Sequence, residues 1–145
     1  MKNLTLTTAA LALMASGAMA QDLRIALQSD ADILDPDQSR TFVGRIIYTA
    51  LCDKLVDITP DLEIIPQLAT AWTVAEDGMS IDMTVRDDVV FHDGTAFNAQ
   101  AVADNITRSQ TMDGSMRKSE LASIASVDVT GDYTLTLNLT GPDAT

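Results

Sequence analysis

Hydrophobic and polar residues alternate in two stretches of the chain, and a tight-turn signal interrupts each stretch. Residues 72–85 alternate around Asp77-Gly78, and residues 127–139 alternate around Gly131-Asp132. Alternation on both sides of such a turn is typical of a β-hairpin. The sequence therefore predicts two hairpins, whose apolar faces include Trp72, Val74, Ile81, Met83 and Val85 in the first and Val127, Val129, Tyr133, Leu135, Leu137 and Leu139 in the second.

Apolar residues at helical spacing predict two helices. Thr41 is suited to cap the first helix, and Asn98 is suited to cap the second. Arg108 lies near the end of the second helix, where a cation suits the helix dipole. The apolar stripes are Val43, Ile46, Ile47, Ala50 and Leu51 in the first helix and Ala99, Val102, Ala103 and Ile106 in the second.

Shorter patterns fill the gaps between these elements. Residues 23–27 (LRIAL) alternate and predict an opening strand, and Val89 and Phe91 predict a further strand. Residues 59–69 carry two prolines and predict a connector with a short extended piece. Residues 109–120 are polar and predict a loop or a short, poorly packed helix. The fold class predicted from these patterns is mixed α/β, with β-hairpins and two to three helices.

Residues 1–20 have the pattern of a secretory signal peptide. Lys2 supplies the positive start, residues 4–18 are mostly apolar, and Ala18-Met19-Ala20 is a small-x-small cleavage site. The absence of a cysteine at that site argues against a lipoprotein anchor. The sequence predicts an exported, soluble mature chain that begins near Gln21.

Composition excludes some classes of function and leaves others open. Of the 145 residues, 9 are Lys or Arg and 21 are Asp or Glu, which gives a formal net charge of −12. Because phosphate binding needs an excess of basic residues, a nucleic-acid partner is not expected. Cys52 is the only cysteine, so no internal disulfide can form, and we expect Cys52 to be a small core residue.

Residues that could carry chemistry are few. His92 is the only histidine and is expected to be a turn residue, and no nucleophile or phosphate-binding motif accompanies it. Residues 30–41 hold four aspartates but lack the glycine and glutamate positions of a calcium loop. Trp72 and Phe91 are expected to be core aromatics. The sequence therefore predicts no catalytic residue and no metal site.

The stretch from Pro66 to Arg108 resembles the bacterial extracellular solute-binding proteins, family 5, which are the dipeptide, oligopeptide and nickel binding components of ABC importers. The resemblance rests on PQLATAW at residues 66–72, the Asp77-Gly78 turn, FHDGT at residues 91–95 and the helix start at Asn98. Upstream, Leu34-Asp35-Pro36 and residues 46–58 (IIYTALCDKLVDI) fit the opening of that family.

The resemblance implies a two-lobed fold, of the type II periplasmic-binding kind, that closes on its solute by a hinge. Residues 21–145 would be the N-terminal portion of this domain. The implied function is periplasmic binding of a peptide, or of a nickel complex, opine or sugar, and delivery to the permease subunits of an ABC importer in the inner membrane. No cofactor, no covalent chemistry and a monomeric state are implied.

The same resemblance implies that residues Ser29 to Asp32 and Arg40 to Phe42 face the binding cleft. The candidate solute-binding residues are Ser29, Asp30, Arg40, Thr41 and Phe42. The layout of the family implies that most other contacts come from residues beyond Thr145.

One departure from the family pattern concerns Ala101, which stands where the family often has Asp. The second helix should still begin at its cap, weakened by about 1 kcal/mol. Two alternative functions remain open on the residues alone. The chain could be the N-terminal part of a secreted enzyme whose catalytic groups lie beyond Thr145, or a small exported interaction module.

Overall fold

A computed structural model describes residues 23–142, which contain two helices and six strands. In chain order they are α1 (Phe42–Leu51), β1 (Val56–Ile58), β2 (Ile64–Pro66), β3 (Ala69–Val74), β4 (Ser80–Val85), α2 (Ala99–Thr111), β5 (Ile124–Gly131) and β6 (Thr134–Leu139). The predicted mixed α/β class with β-hairpins is confirmed. The signal-peptide prediction lies outside the described residues.

The two predicted hairpins join into one antiparallel sheet with strand order β3-β4-β6-β5. Trp72 pairs with Met83 within the first hairpin, and Val127 pairs with Leu137 within the second. The hairpins meet through β4 and β6, where Ile81 lies opposite Leu137. A separate two-stranded sheet pairs β1 with β2.

The core lies between the four-stranded sheet and α2. It contains the buried residues Ala69, Met83, Val85, Phe97, Ala99, Val102, Ile106, Leu135 and Leu137. The predicted apolar face of α2 is buried in full, and Leu135 is only 1% exposed. Buried side chains of β6 alternate with more exposed ones, as the period-2 pattern requires.

Two Asp-Gly turns shape the chain on either side of β4. Gly78 has φ 69° and Gly94 has φ 87°, a region that only glycine adopts without strain. Each preceding aspartate accepts a backbone N–H two residues on, 3.0 Å from Met79 N to Asp77 Oδ1 and 2.9 Å from Thr95 N to Asp93 Oδ1. The Thr95 bonds hold the pKa of Asp93 below its ordinary value. FHDGT is therefore a turn motif, and His92 lies in it, as predicted.

Both predicted helix caps are present. The Asn98 side chain accepts the Ala101 N–H at 2.9 Å, and α2 begins at Ala99 even though residue 101 is not acidic. The Thr41 side chain accepts the Gly44 N–H at 3.0 Å and starts α1. The second helix extends to Thr111, into the segment predicted as loop, and its Ser109 is buried.

Four sequence predictions are wrong in the structure. Residues 23–27 form no strand, because no segment within residues 23–142 pairs with them. Leu23 is 85% exposed. The predicted strand at Val89 and Phe91 is reduced to a single bridge between Val90 and Ala96. Cys52 is exposed at the end of α1 and is not a core residue. Phe91 is 47% exposed and is not a core residue, although its ring makes an edge contact with Phe97 at 6.0 Å between centroids.

Candidate functional site

The candidate solute-binding residues lie in two places, on the irregular segment of residues 29–41 and in the first turn of α1. Ser29 and Asp30 are exposed and belong to no helix or strand. Phe42 begins α1 with 71% of its surface exposed. None of the five candidate residues is among those that line the cleft between α1 and α2.

Thr41 has a structural role in addition to the solute-binding role predicted for it. Its hydroxyl caps α1 and also donates to Asp32 Oδ1 at 2.9 Å. Ser39 donates to the same carboxylate oxygen at 2.8 Å. These two hydroxyls, the Ser39 bond first, hold the pKa of Asp32 below its ordinary value.

Gly44 explains how the segment lies so close to α1. A Cβ atom at this position would come 2.7 Å from Ser39 Oγ and 2.9 Å from Thr41 Oγ1. Contacts that short do not occur, so a side chain at residue 44 would displace the capping hydroxyls. Tyr48 fixes the segment from the next turn of the helix, because its hydroxyl donates to the Ile33 carbonyl at 2.5 Å.

Arg40 points away from the other candidates. Its guanidinium donates to the Met116 carbonyl and lies 3.5 Å from Glu120 Oε1. The structure therefore places Thr41 and Phe42 together at the start of α1 and turns the Arg40 side chain toward residues 116–120. A ligand contact by Arg40 would require this side chain to leave its present partners.

A clamp joins residues 35–39 to the C-terminal part of α2 and the loop after it. We define this clamp by the side chains of Asp35, Asp37, Arg108, Ser109 and Arg117. Arg108 donates to Asp35 Oδ2 at 2.5 Å and also to Asp37. Ser109 Oγ donates to Asp37 Oδ1 at 2.8 Å. Asp37 is 6% exposed, and both of its carboxylate oxygens are bonded.

The second arginine of the clamp holds the backbone of the same segment. Arg117 Nε donates to the Pro36 carbonyl at 3.1 Å, and its Nη2 donates to the Ser39 carbonyl at 2.5 Å. The backbone N–H of Met116 donates to the Asp37 carbonyl at 2.7 Å. Side-chain and backbone bonds together fix the position of the segment that carries Arg40 and Thr41.

Local sequence patterns do not reveal the clamp. From the helical pattern, the one role predicted for Arg108 is a favourable interaction with the helix dipole. From the aspartates of residues 30–41, the one site considered is a calcium loop. The signal that could have found the clamp is the combination of aspartates around Pro36 with an arginine and a serine on one helix, Arg108 and Ser109. That pairing spans 71 to 73 residues, so no local pattern contains it.

A cleft of about 810 Å³ lies between α1 and α2. Its lining includes Tyr48 and Cys52 from the first helix and its end, Asn105 from the second, and Phe97. Among residues 23–142, no three His, Cys, Asp or Glu side chains are grouped so that they could hold a metal ion. Neither of the two described helices is long and apolar enough to cross a membrane.

Comparison with known proteins gives a consistent picture. The sequence model of "Bacterial extracellular solute-binding proteins, family 5 Middle" matches residues 63–145. The glutathione-binding protein GsiB of Salmonella typhi is 30% identical over 124 residues, which cover 85% of this chain and 24% of that protein. The chain thus spans about a quarter of the length of this relative.

Solved structures show the same fold. NikZ from Campylobacter jejuni, in complex with Ni(L-His), superposes with a TM-score of 0.69 and 24% identity, over 79% of this chain and 23% of NikZ. The oligopeptide-binding protein AppA from Bacillus subtilis, in complex with a nonapeptide, superposes with a TM-score of 0.67 and 24% identity, over 72% of this chain and 21% of AppA. The fold of the aligned part is therefore the fold of the corresponding quarter or less of these two binding proteins.

Proposed function

Because the chain belongs to family 5 of the bacterial extracellular solute-binding proteins, we propose that it forms part of the substrate-binding component of an ABC importer. In this function the protein binds its solute reversibly in the periplasm and delivers it to permease subunits in the inner membrane. The observation that carries the proposal is the family match over residues 63–145. The relative of 30% identity is named as a binding protein for glutathione, which supports the same function.

The proposed solute is a peptide. Glutathione is itself a tripeptide, and the relative of 30% identity is a glutathione-binding protein. AppA holds a nonapeptide, which supports the same class, whereas NikZ holds a nickel complex of histidine. A peptide offers charged ends and backbone N–H and C=O groups, and reversible recognition of these needs only hydrogen-bonding and charged side chains.

The proposed binding residues remain Ser29, Asp30, Arg40, Thr41 and Phe42. Three features of the structure support this assignment. Ser29 and Asp30 are exposed, Phe42 presents its ring to the outside, and the clamp holds the segment in one position. In the proposal, residues 1–20 direct export and are removed, and residues 21–145 belong to one lobe.

A thermal-shift screen on the full-length mature protein tests the solute class. The solutes are glutathione, di- and tripeptides, longer peptides, nickel with histidine, opines and sugars. A peptide that binds with Kd 100-fold below its concentration should stabilise the protein by about 2.7 kcal/mol, which raises Tm by several degrees. A shift with the nickel complex, an opine or a sugar and with no peptide would contradict the peptide assignment.

The binding residues are tested by titration calorimetry with the peptide that gives the largest shift. Replacing Phe42 by Ala should weaken binding by about tenfold or more, because an aromatic contact contributes on the order of 1–2 kcal/mol. Ile64→Ala is the control, since Ile64 is an exposed apolar residue that lies outside both the proposed site and the cleft between α1 and α2. Equal affinities of the Phe42 variant and the wild-type protein would remove Phe42 from the site.

A further inference from the structure

Two positively charged side chains from the far end of α2 and the following loop help to hold the candidate binding segment in place. Arg108 and Arg117 together contact the side chains or carbonyls of Asp35, Pro36, Asp37 and Ser39. All these partners lie directly before the candidate residues Arg40, Thr41 and Phe42. The partners in these contacts are 71 to 81 residues apart in the sequence. The contacts therefore fix the segment relative to α2 and the loop after it.

Of the clamp residues, Arg108 makes the contacts that depend most strictly on side-chain geometry. Its Nη2 binds Asp35 and its Nη1 binds Asp37, so a single planar guanidinium links two carboxylates. Asp37 is nearly fully buried, and a buried carboxylate needs its charged partner to stay in place. Lysine carries the same charge but cannot present two fixed N–H groups in this geometry.

We propose that Arg108 is a positioning residue for solute binding, because it holds the segment that carries Arg40, Thr41 and Phe42 in its binding-competent place. This inference rests on the proposed function. Arg108 does not touch the solute in this proposal. Its loss lets the segment leave its position for part of the time, and the apparent affinity falls in proportion to the fraction of molecules that remain competent.

The expected kinetics distinguish positioning from direct contact. A smaller competent fraction slows association, whereas a bound complex, once formed with the segment in place, dissociates at its former rate. Removal of a residue that contacts the solute would instead raise the dissociation rate. Arg108→Gln should therefore bind a peptide about tenfold more slowly with little change in dissociation, and Arg108→Lys should recover part of that loss.

The chain offers two matched controls. Arg86 also binds an aspartate with two N–H groups, at 2.8 and 2.9 Å to Asp88, and its side chain is 43% exposed against 44% for Arg108. Because Arg86 and Asp88 are two residues apart, Arg86→Gln removes an equivalent pair without freeing the binding segment. Asn98→Ala lowers the stability of α2 from its other end and controls for a general loss of stability.

The experiment makes two kinds of measurement, binding kinetics and hydrogen exchange, on the full-length mature protein and on four variants. The variants are Arg108→Gln, Arg108→Lys, Arg86→Gln and Asn98→Ala. Stopped-flow mixing gives association and dissociation rates for the peptide with the largest shift in the screen. Hydrogen exchange without any solute gives the protection of residues 37–41, where the N–H groups of Asp37, Gln38, Ser39 and Thr41 are hydrogen-bonded. We expect slower association and exchange at least about tenfold faster in Arg108→Gln, with neither change in Arg86→Gln or Asn98→Ala.

Each outcome has one meaning. Unchanged association, or exchange of residues 37–41 that is equally slow in Arg108→Gln and wild type, would overturn the positioning role. A faster dissociation rate alone would make Arg108 a contact residue and would also overturn it. If the wild-type protein binds none of the screened solutes, the proposed function fails, while the exchange arm still decides whether Arg108 holds the segment.

Discussion

Single residues of the candidate site owe their position to charge pairing and to backbone geometry. Asp35 accepts two N–H groups of Arg108, which hold its pKa below the ordinary value of 3.8. Gly44 and Gly78 are required for different reasons. Gly44 leaves room for two hydroxyls, whereas Gly78 adopts a backbone conformation that other residues resist.

Asp35 makes the stability of the protein depend on pH in the acidic range. A lowered folded-state pKa means that the Asp35 carboxylate stabilises the protein at pH values above 3.8, and that this contribution is lost as the pH falls through the folded-state value. We expect the Tm difference between wild type and Asp35→Asn to be constant from about pH 5 to 7 and to shrink below about pH 4. Thermal unfolding of both proteins over that range measures it; a difference that grows on acidification would contradict the sign.

Replacing Gly78 by Ala should destabilise the protein by about 1–2 kcal/mol, because φ 69° is unfavourable for a residue with a Cβ atom. The new Cβ would also lie 3.2 Å from Pro142 Cβ. Gly94→Ala is the matched control, since Gly94 has φ 87° but an added Cβ there would meet nothing within 4 Å. Urea unfolding should show a larger loss for Gly78; equal losses would assign the effect to backbone conformation alone.

Elements of this protein are predictable where the pattern is local. Alternation around Asp77-Gly78 and Gly131-Asp132 predicts both hairpins, and Asn98 predicts the start of α2. Alternation in residues 23–27 predicts a strand too, but a strand also needs a neighbour, and the sequence pattern does not name one. The clamp depends on Arg108 meeting two aspartates that lie more than seventy residues away, so helical spacing alone could not reveal it.

The cap of α2 provides a test at the level of one element. Asn98→Ala should cost about 1 kcal/mol, since the Ala101 N–H loses its acceptor at 2.9 Å. Asn98→Asp should retain most of the stability because aspartate is an equally good cap and favours the positive end of the helix dipole. Urea unfolding of the two variants and the wild type gives both values. A loss as large for Asp as for Ala would exclude capping as the cause.

At the scale of the whole molecule, residues 23–142 form one core between the sheet and α2 and have a second apolar surface on α1. Ile46 and Leu51 are exposed there, although the first helix has the stronger apolar stripe of the two. A stripe of that strength is normally buried against another layer. The aligned 124 residues are 24% of GsiB, which is therefore about three and a half times as long as this chain, and the rest of such a protein has ample material to cover α1.

Residues 21–145 produced alone should therefore bind the dye ANS and tend to aggregate, whereas the full-length mature protein should do neither. The measurement is ANS fluorescence together with light scattering of both proteins at equal concentration. Replacing Ile46 by Lys in the short protein should reduce both signals, since it breaks the exposed stripe. A short protein with cooperative unfolding and no ANS binding would favour the small-module alternative.

The place of β4 in the sheet has a consequence for how the chain must be made. This strand pairs with β3 on one side and with β6 on the other, and β6 is the last of the described strands in the sequence. Until Thr134–Leu139 has been synthesised, the second edge of β4 carries unpaired backbone groups that invite pairing with another chain. Synthesis or export that stalls between the two hairpins would thus leave an aggregation-prone intermediate, and a chaperone that covers an open strand edge would protect it.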